Sequence, residues 1–229
     1  MDSISSNLAE IRRRIERAAL DAGRDPATVR LVAVSKTKPA EMIREACEAG
    51  QTLFGESYMQ EFLEKREDPV LEGCSPEWHF IGHLQSNKIR SLIGRVSLIH
   101  GIDKLSTARE LSRQALKHAL TADYLLEVNT SREETKYGMR PEEVETAAEE
   151  LFALPSVRLR GLMTIAAPDP EAAELEFREL RELLLRLRKL APRPEELTEL
   201  SMGMSSDFEA AVREGATLVR VGTAIFGWR

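Results

Sequence analysis

Cysteine is scarce in this chain: Cys47 and Cys74 are the only two among 229 residues. They are far apart in sequence and lack metal-ligand or redox-motif spacing, so no zinc site or disulfide framework is expected. Cys47, set among apolar helix positions, reads as a small core residue. Long apolar runs are missing as well. No segment reaches the length of a membrane span and the N-terminus has no signal-peptide core, so a cytoplasmic protein without a membrane partner is expected. There is no basic excess, the formal net charge being -6, which argues against nucleic acid as the main partner. The one basic cluster, Arg12-Arg13-Arg14, lies in an amphipathic helix whose apolar side is Ile4, Leu8, Ile11 and Ile15, so it reads as a solvated face. A glycine-rich dinucleotide turn after the first strand, internal repeats and domain linkers are also lacking. These absences disfavour an open doubly wound sheet and a division into domains.

What is present is alternation. Strand-like runs at residues 31–35, 52–55, 78–82, 96–99, 124–129, 159–165, 199–202 and 218–222 alternate with helical patterns at 39–49, 58–66, 87–93, 104–119, 141–152, 171–190 and 206–214, and 223–228 suggests a last short turn. Pro39 and Pro141 suit first-turn positions and Ser206-Asp207 a helix cap. Leu175, Leu180, Leu183, Leu184 and Leu187 form the inner stripe of an outer helix. Eight strands, each followed by a helical piece, predict an α/β fold of one (β/α)8 barrel domain over residues 1–229, with residues 1–25 as an N-terminal helix packed on it.

In such a barrel the C-terminal strand ends converge on one face, which carries the chemistry. The polar residues fall there: Lys36, Glu56-Ser57-Tyr58, His83 and Gln85, Asp103, Asn129, Met163-Thr164, Ser201 to Ser205, and Gly222-Thr223. Lys36 leaves the apolar run Leu31 to Ser35. An amine kept near an apolar interior is disfavoured as ammonium, which suits capture of an aldehyde; a lysine merely reaching solvent is the bland alternative. The loops after strands seven and eight are where this fold commonly builds a phosphate site. Ser201, Gly203 and Ser205 lead into one helix, and Gly222 and Thr223 into the final turn. Arg220 interrupts the apolar run Leu218 to Val221. Buried there, it needs a carboxylate, a carbonyl or a ligand atom, and a cofactor ring nitrogen is one candidate. Amine, phosphate anchor and ring-nitrogen partner are together what pyridoxal 5'-phosphate (PLP) requires.

These residues lie in segments that resemble a known family. Val32 to Pro39 (VAVSKTKP), Phe54-Gly55-Glu56, Trp78 to Lys88 (WHFIGHLQSNK), Gly161-Leu162-Met163, Leu200 to Ser205 (LSMGMS) and Val219 to Gly227 (VRVGTAIFG) closely resemble the PLP homeostasis proteins, in the same order across almost the whole chain. The resemblance implies a barrel like the N-terminal domain of alanine racemase, with PLP held as an internal aldimine on Lys36. It also implies phosphate contacts from Ser201, Gly222 and Thr223, and Arg220 toward the pyridine nitrogen. Gly203, Met163, Ser57 and His83 complete the expected cofactor contacts. No metal and no catalytic residue are expected, and the implied role is vitamin B6 homeostasis rather than a defined reaction. In the family the residue after Phe-Gly-Glu is usually Asn; Ser57 stands there in this chain, with shorter reach and no amide.

Weaker signals read blandly. His79 and His83 flank a strand end, so their spacing does not make a helix-face metal pair. Lys136 reads as an exposed lysine, with a secondary aldehyde-capturing role as the minor option. Beside the carrier reading stand two enzyme readings. A Schiff-base aldolase would attack a phosphorylated substrate with Lys36. A PLP-dependent amino-acid racemase needs an acid or base on each face of the substrate, and the sequence is expected to have no residues beyond strand eight for the second domain that supplies the other. Expected partners are PLP, amino acids and PLP-dependent apo-enzymes, and the expected state is a monomer.

Overall fold

The computed structural model describes residues 3–228, so the ends of the expected 1–229 domain, residues 1, 2 and 229, lie outside the described residues. Eight parallel strands close in sequence order into a barrel: β1 (Arg30–Val34), β2 (Leu53–Glu56), β3 (Glu77–Phe80), β4 (Leu98–Ile102), β5 (Ala122–Glu127), β6 (Val157–Met163), β7 (Glu199–Ser201) and β8 (Leu218–Val221). Closure is made where Arg30 to Ala33 of β1 run in register with Leu218 to Val221 of β8. The helices are α1 (Ile4–Asp21), α2 (Ala40–Glu48), α3 (Met59–Arg66), α4 (Leu105–Lys117), α5 (Pro141–Ala153), α6 (Pro170–Leu190), α7 (Phe208–Arg213) and the single turn α8 (Thr223–Phe226). Between β3 and β4 the expected helix is a 3-10 stretch, Ser86–Ser91. Among the described residues no helix is long and apolar enough to cross a membrane.

Period-two alternation sends the strand residues to two cores. Ala33, Phe54, Trp78, Ile99, Tyr124, Leu162, Leu200 and Val219 pack outward against the helices. Val32, Leu53, Leu98, Leu125, Met163 and Leu218 form a separate apolar plug inside the barrel. Because α8 is one turn, α1 fills the outer ring between α7 and α2. It buries Ile4, Leu8, Ile11 and Ile15 and is capped by the Ser3 hydroxyl. The basic cluster there does more than meet solvent. Arg14 makes a two-pronged pair with Glu209 at 2.9 and 2.8 Å and Arg12 donates to the Ala49 carbonyl at 3.1 Å, while Arg13 pairs with Glu10 on the exposed side.

Three further expectations shift. In α6 the inner stripe holds Leu180, Leu183, Leu184 and Leu187, whereas Leu175 is exposed because Ala173, Glu176 and Phe177 take the inward positions at its level. Pro39 is the residue before α2 rather than inside its first turn. Cys47, distant from Cys74 in sequence, neighbours it in the fold, and burial followed by that thiol pushes Cys47 up to about 12, keeping it protonated and inert.

Candidate functional site

The carboxyl ends of β1 and β8 and the loops after β2, β3, β6 and β7 enclose a cavity of about 570 Å³. Its lining includes Lys36 and Arg220, the polar residues Ser57, Ser205, Ser206 and Thr223, and the apolar side chains of Val34, Ile81, Ile165 and Met204. Lys36 is exposed at the mouth. That differs from the expected amine near an apolar interior: β1 ends at Val34, and the chain turns outward before Lys36. Thr37 follows in the left-handed region with φ 62°, strain of about 1–3 kcal/mol for a β-branched residue.

A buried ionic knot holds that turn. Lys65 of α3 donates to the Ser35 carbonyl at 2.7 Å, to Glu56 at 2.7 Å and to Glu61 at 2.5 Å. The Ser35 hydroxyl donates to Glu56 at 2.7 Å, and Glu61 accepts the Thr37 amide at 2.5 Å. Glu56 is fully buried, and desolvation raises its pKa despite the attraction of Lys65. The peptide carrying Lys36 is thus fixed on both sides, while its amine has no hydrogen-bond partner among the described residues. Lys38 is committed elsewhere, donating to the Gly227 and Trp228 carbonyls at 2.9 and 3.2 Å.

Arg220 crosses from the barrel interior into the cavity. It donates to the Ser201 hydroxyl at 2.6 Å and the Thr164 carbonyl at 2.8 Å. Desolvation lowers its pKa to about 10, which leaves it cationic at neutral pH. Of five guanidinium N–H donors these bonds use two, so donors remain for a ligand. Ser201 is fully buried beneath Arg220 and is not among the cavity-lining residues. The hydroxyls at the cavity are those of Ser205, Ser206 and Thr223, and Ser205 accepts the Gly222 amide at 3.4 Å. The first amides of α8 have no intrahelical partners and open on the same space.

The other expected contacts are dispersed. Gly203 serves packing: at φ 89° a side chain there would strike Ala211 and Phe208. Met163 lies in the apolar plug. His83 stacks on Tyr137 with ring centroids 3.7 Å apart and sits 3.8 Å from Asp103. Gly222, Thr223 and Ser57 line the cavity. Lys136 lines a different hollow, with Tyr137 and Asp103, and pairs with Glu133 at 2.9 Å. Reading the sequence missed Ser206 and the Lys65 knot. It also missed Glu127, a carboxyl raised to about 7 by burial and by Asp103. A polar residue closing an apolar strand run was the available signal for Glu127.

Comparison with known proteins places this arrangement. The family model described as the N-terminal domain of alanine racemase matches residues 2–229. A pyridoxal phosphate homeostasis protein of Pseudomonas aeruginosa is 48% identical over 231 residues, covering 100% of this chain and 97% of its own. The solved structure of PipY from Synechococcus elongatus, with PLP bound, is 36% identical with a TM-score of 0.85 over 98% of this chain and all of its own. The alanine racemase of Corynebacterium glutamicum, 20% identical with a TM-score of 0.71, shares the fold over 96% of this chain but only 61% of its own.

Proposed function

Because the chain belongs to the alanine racemase N-terminal domain family, and within it to the pyridoxal phosphate homeostasis proteins, we propose that it binds and carries PLP in vitamin B6 homeostasis without strong catalytic turnover. The observation that carries this reading is one cavity holding the Lys36 amine, the Arg220 guanidinium and the Ser205, Ser206 and Thr223 hydroxyls. The donor set fits the group. When bound, PLP supplies an aldehyde for amine capture and an electron-withdrawing ring. The Lys36 amine would condense with the aldehyde, releasing water, and Val34, Ile81, Ile165 and Met204 would supply the apolar walls for the ring. Arg220 would offer one of its remaining N–H groups to the ring nitrogen. Ser205, Ser206, Thr223 and the backbone amides of Thr223 and Ala224 would hold the phosphate. The phosphate role expected of Ser201 passes to Ser205 and Ser206 in this proposal, since Ser201 lies behind Arg220.

Two features of the site support a carrier over a racemase. Racemisation needs proton donors or acceptors on both faces of the α-carbon. Among the described residues the cavity lining offers Lys36 but no carboxylate, histidine, tyrosine or thiol beside it. Tyr124 is buried in the outer core, Tyr137 stacks on His83, and Tyr58 is an exposed residue preceding α3. Arg220, cationic and incapable of accepting a proton, would also leave the ring nitrogen unprotonated and weaken the electron sink, a partial objection beside the missing second base, which decides. Lys36 at the open mouth admits amino acids and acceptor apo-enzymes. A cytoplasmic monomer is the proposed acting species, with the cavity lining supplied by this chain.

The function is tested by incubating the PLP-loaded protein with L-alanine and other L-amino acids in heavy water. The expected result is slow or no deuterium entry at the α-carbon. Entry at about 1 per second or faster, with accumulating D-isomer, would establish a racemase. The phosphate anchor has its own prediction. Thr223→Ala should weaken PLP binding by about tenfold, one charge-assisted hydrogen bond, and leave binding of pyridoxal nearly unchanged. Titration of both ligands against both proteins checks it; equal losses for the two would place the phosphate elsewhere.

A further inference from the structure

A line of polar side chains crosses the apolar plug from the cavity to the opposite end of the barrel. Below Arg220, the Ser201 oxygen is 2.9 Å from His100 Nδ1. His100 Nε2 is 2.9 Å from His79 Nδ1, and His79 Nε2 is 3.3 Å from Glu77 Oε1. Ser201 and His100 are fully buried and His79 almost so. Glu77 begins β3, at the end of the barrel away from the cavity, and also accepts from Ser97 at 3.0 Å. A buried polar file through the centre of a barrel demands a reason, because apolar residues of similar size would pack there at no desolvation cost.

The protons in this file have one arrangement. Arginine only donates, so the Ser201 oxygen accepts from Arg220. The Ser201 proton must then find an acceptor, since an unpaired buried hydroxyl is costly, and His100 Nδ1 is the one at hand. His100 with a bare Nδ1 carries its proton on Nε2 and donates to His79 Nδ1. His79 in turn carries its proton on Nε2 and donates to Glu77. Both imidazoles are neutral, as their burial also favours, and Glu77, held down to about 2 chiefly by the hydrogen bond from His79, is the charged end. Each donor polarises the next. The Ser201 lone pair is thereby locked toward Arg220.

We propose that this one-way chain, Arg220 to Ser201 to His100 to His79 to Glu77, aims the Arg220 guanidinium, and that His100 and His79 are positioning residues for the ring nitrogen of the cofactor. The inference rests on the PLP reading of the cavity for its ligand, but not for the chain itself. Neither histidine touches the cavity; each acts through its neighbour, as outer partners do for metal ligands.

Two measurements test it. In the ligand-free protein labelled with 15N, two-bond proton–nitrogen spectra of the four histidines should show His79 and His100 as neutral Nε2–H tautomers from about pH 6 to 8, on either side of the free imidazole value. A proton on Nδ1 of either ring would overturn the chain. In PLP titrations, His100→Leu should weaken binding about tenfold and move the visible absorption maximum. His100→Asn, whose amide oxygen accepts from Ser201 as Nδ1 does, should restore most of both. A folded His100→Leu protein with unchanged affinity and spectrum would overturn the positioning role; if that variant fails to fold, the absorption maximum of Ser201→Ala decides in its place. An unmodified protein that binds no PLP while showing both Nε2–H tautomers would sink the cofactor reading and leave the chain standing.

Discussion

A Lys65→Met protein should lose about 3–5 kcal/mol of stability, the usual cost of removing one partner from a buried charge pair. Lys65 is 7% exposed at its side chain and faces Glu56, which is wholly enclosed. Methionine fills similar space but leaves Glu56 next to Glu61 with no cation between them, and leaves the Ser35 carbonyl without its donor. The double variant Lys65→Met/Glu56→Leu should recover much of the stability, since an apolar pair of like volume is often neutral or better than a buried ion pair. PLP affinity should not recover with it. The Thr37 strain next to Lys36 is held by the same knot, so the turn that presents the amine relaxes in both variants. Chemical denaturation and PLP titration of the two proteins check this; a Lys65→Met midpoint within experimental error of the unmodified protein would refute the knot's role.

Glu127→Gln should stabilise the protein at pH 8 by about 3 kcal/mol and have no effect at pH 4. Burial first, then Asp103, raises the Glu127 carboxyl from its ordinary 4.5 to about 7, against the pull of Arg220. At 1.36 kcal/mol for each tenfold in proton affinity, that rise is worth about 3 kcal/mol. Below about pH 4.5 the carboxyl is protonated in folded and unfolded chains alike, and the favourable protonated form is fully present. As pH climbs through 7 the folded protein must ionise a buried group, and the contribution is lost. The unmodified protein is therefore expected to lose stability from Glu127 between about pH 4.5 and 7, and Glu127→Gln to flatten that slope. Denaturation midpoints across the range read it directly, and a steeper slope in the variant would contradict the assignment.

All eight strands and their order were legible in the sequence because short Val- and Leu-rich runs stopped by Gly, Pro or polar residues have few other readings. Boundaries moved where the apolar pattern broke. β4 was expected at 96–99 and runs Leu98–Ile102; His100-Gly101 ends the apolar run, and the register shifts between Ile99 and Ile102. The same break concealed His100. Alternation tells which face a strand residue occupies but not how deep it lies, so Ser201 and Ser205 were indistinguishable as phosphate donors although one lies beneath Arg220 and the other at the cavity. The Lys65 knot was invisible because it joins α3 to a turn 30 residues earlier, and nothing local marks that pairing. That Lys36, Arg220, Gly222 and Thr223 would line one cavity was legible, because a barrel brings the ends of β1 and β8 together whatever the outer helices do.

The central question for this protein is which amine takes the aldehyde. Borohydride reduction of the PLP-loaded protein, followed by peptide mapping, fixes the cofactor where it was held. The predicted result is the pyridoxyl mass on Lys36, whose amine is free at the cavity mouth while Lys38 is bound to the Gly227 and Trp228 carbonyls. Label recovered mainly on Lys38 or Lys136 would contradict it.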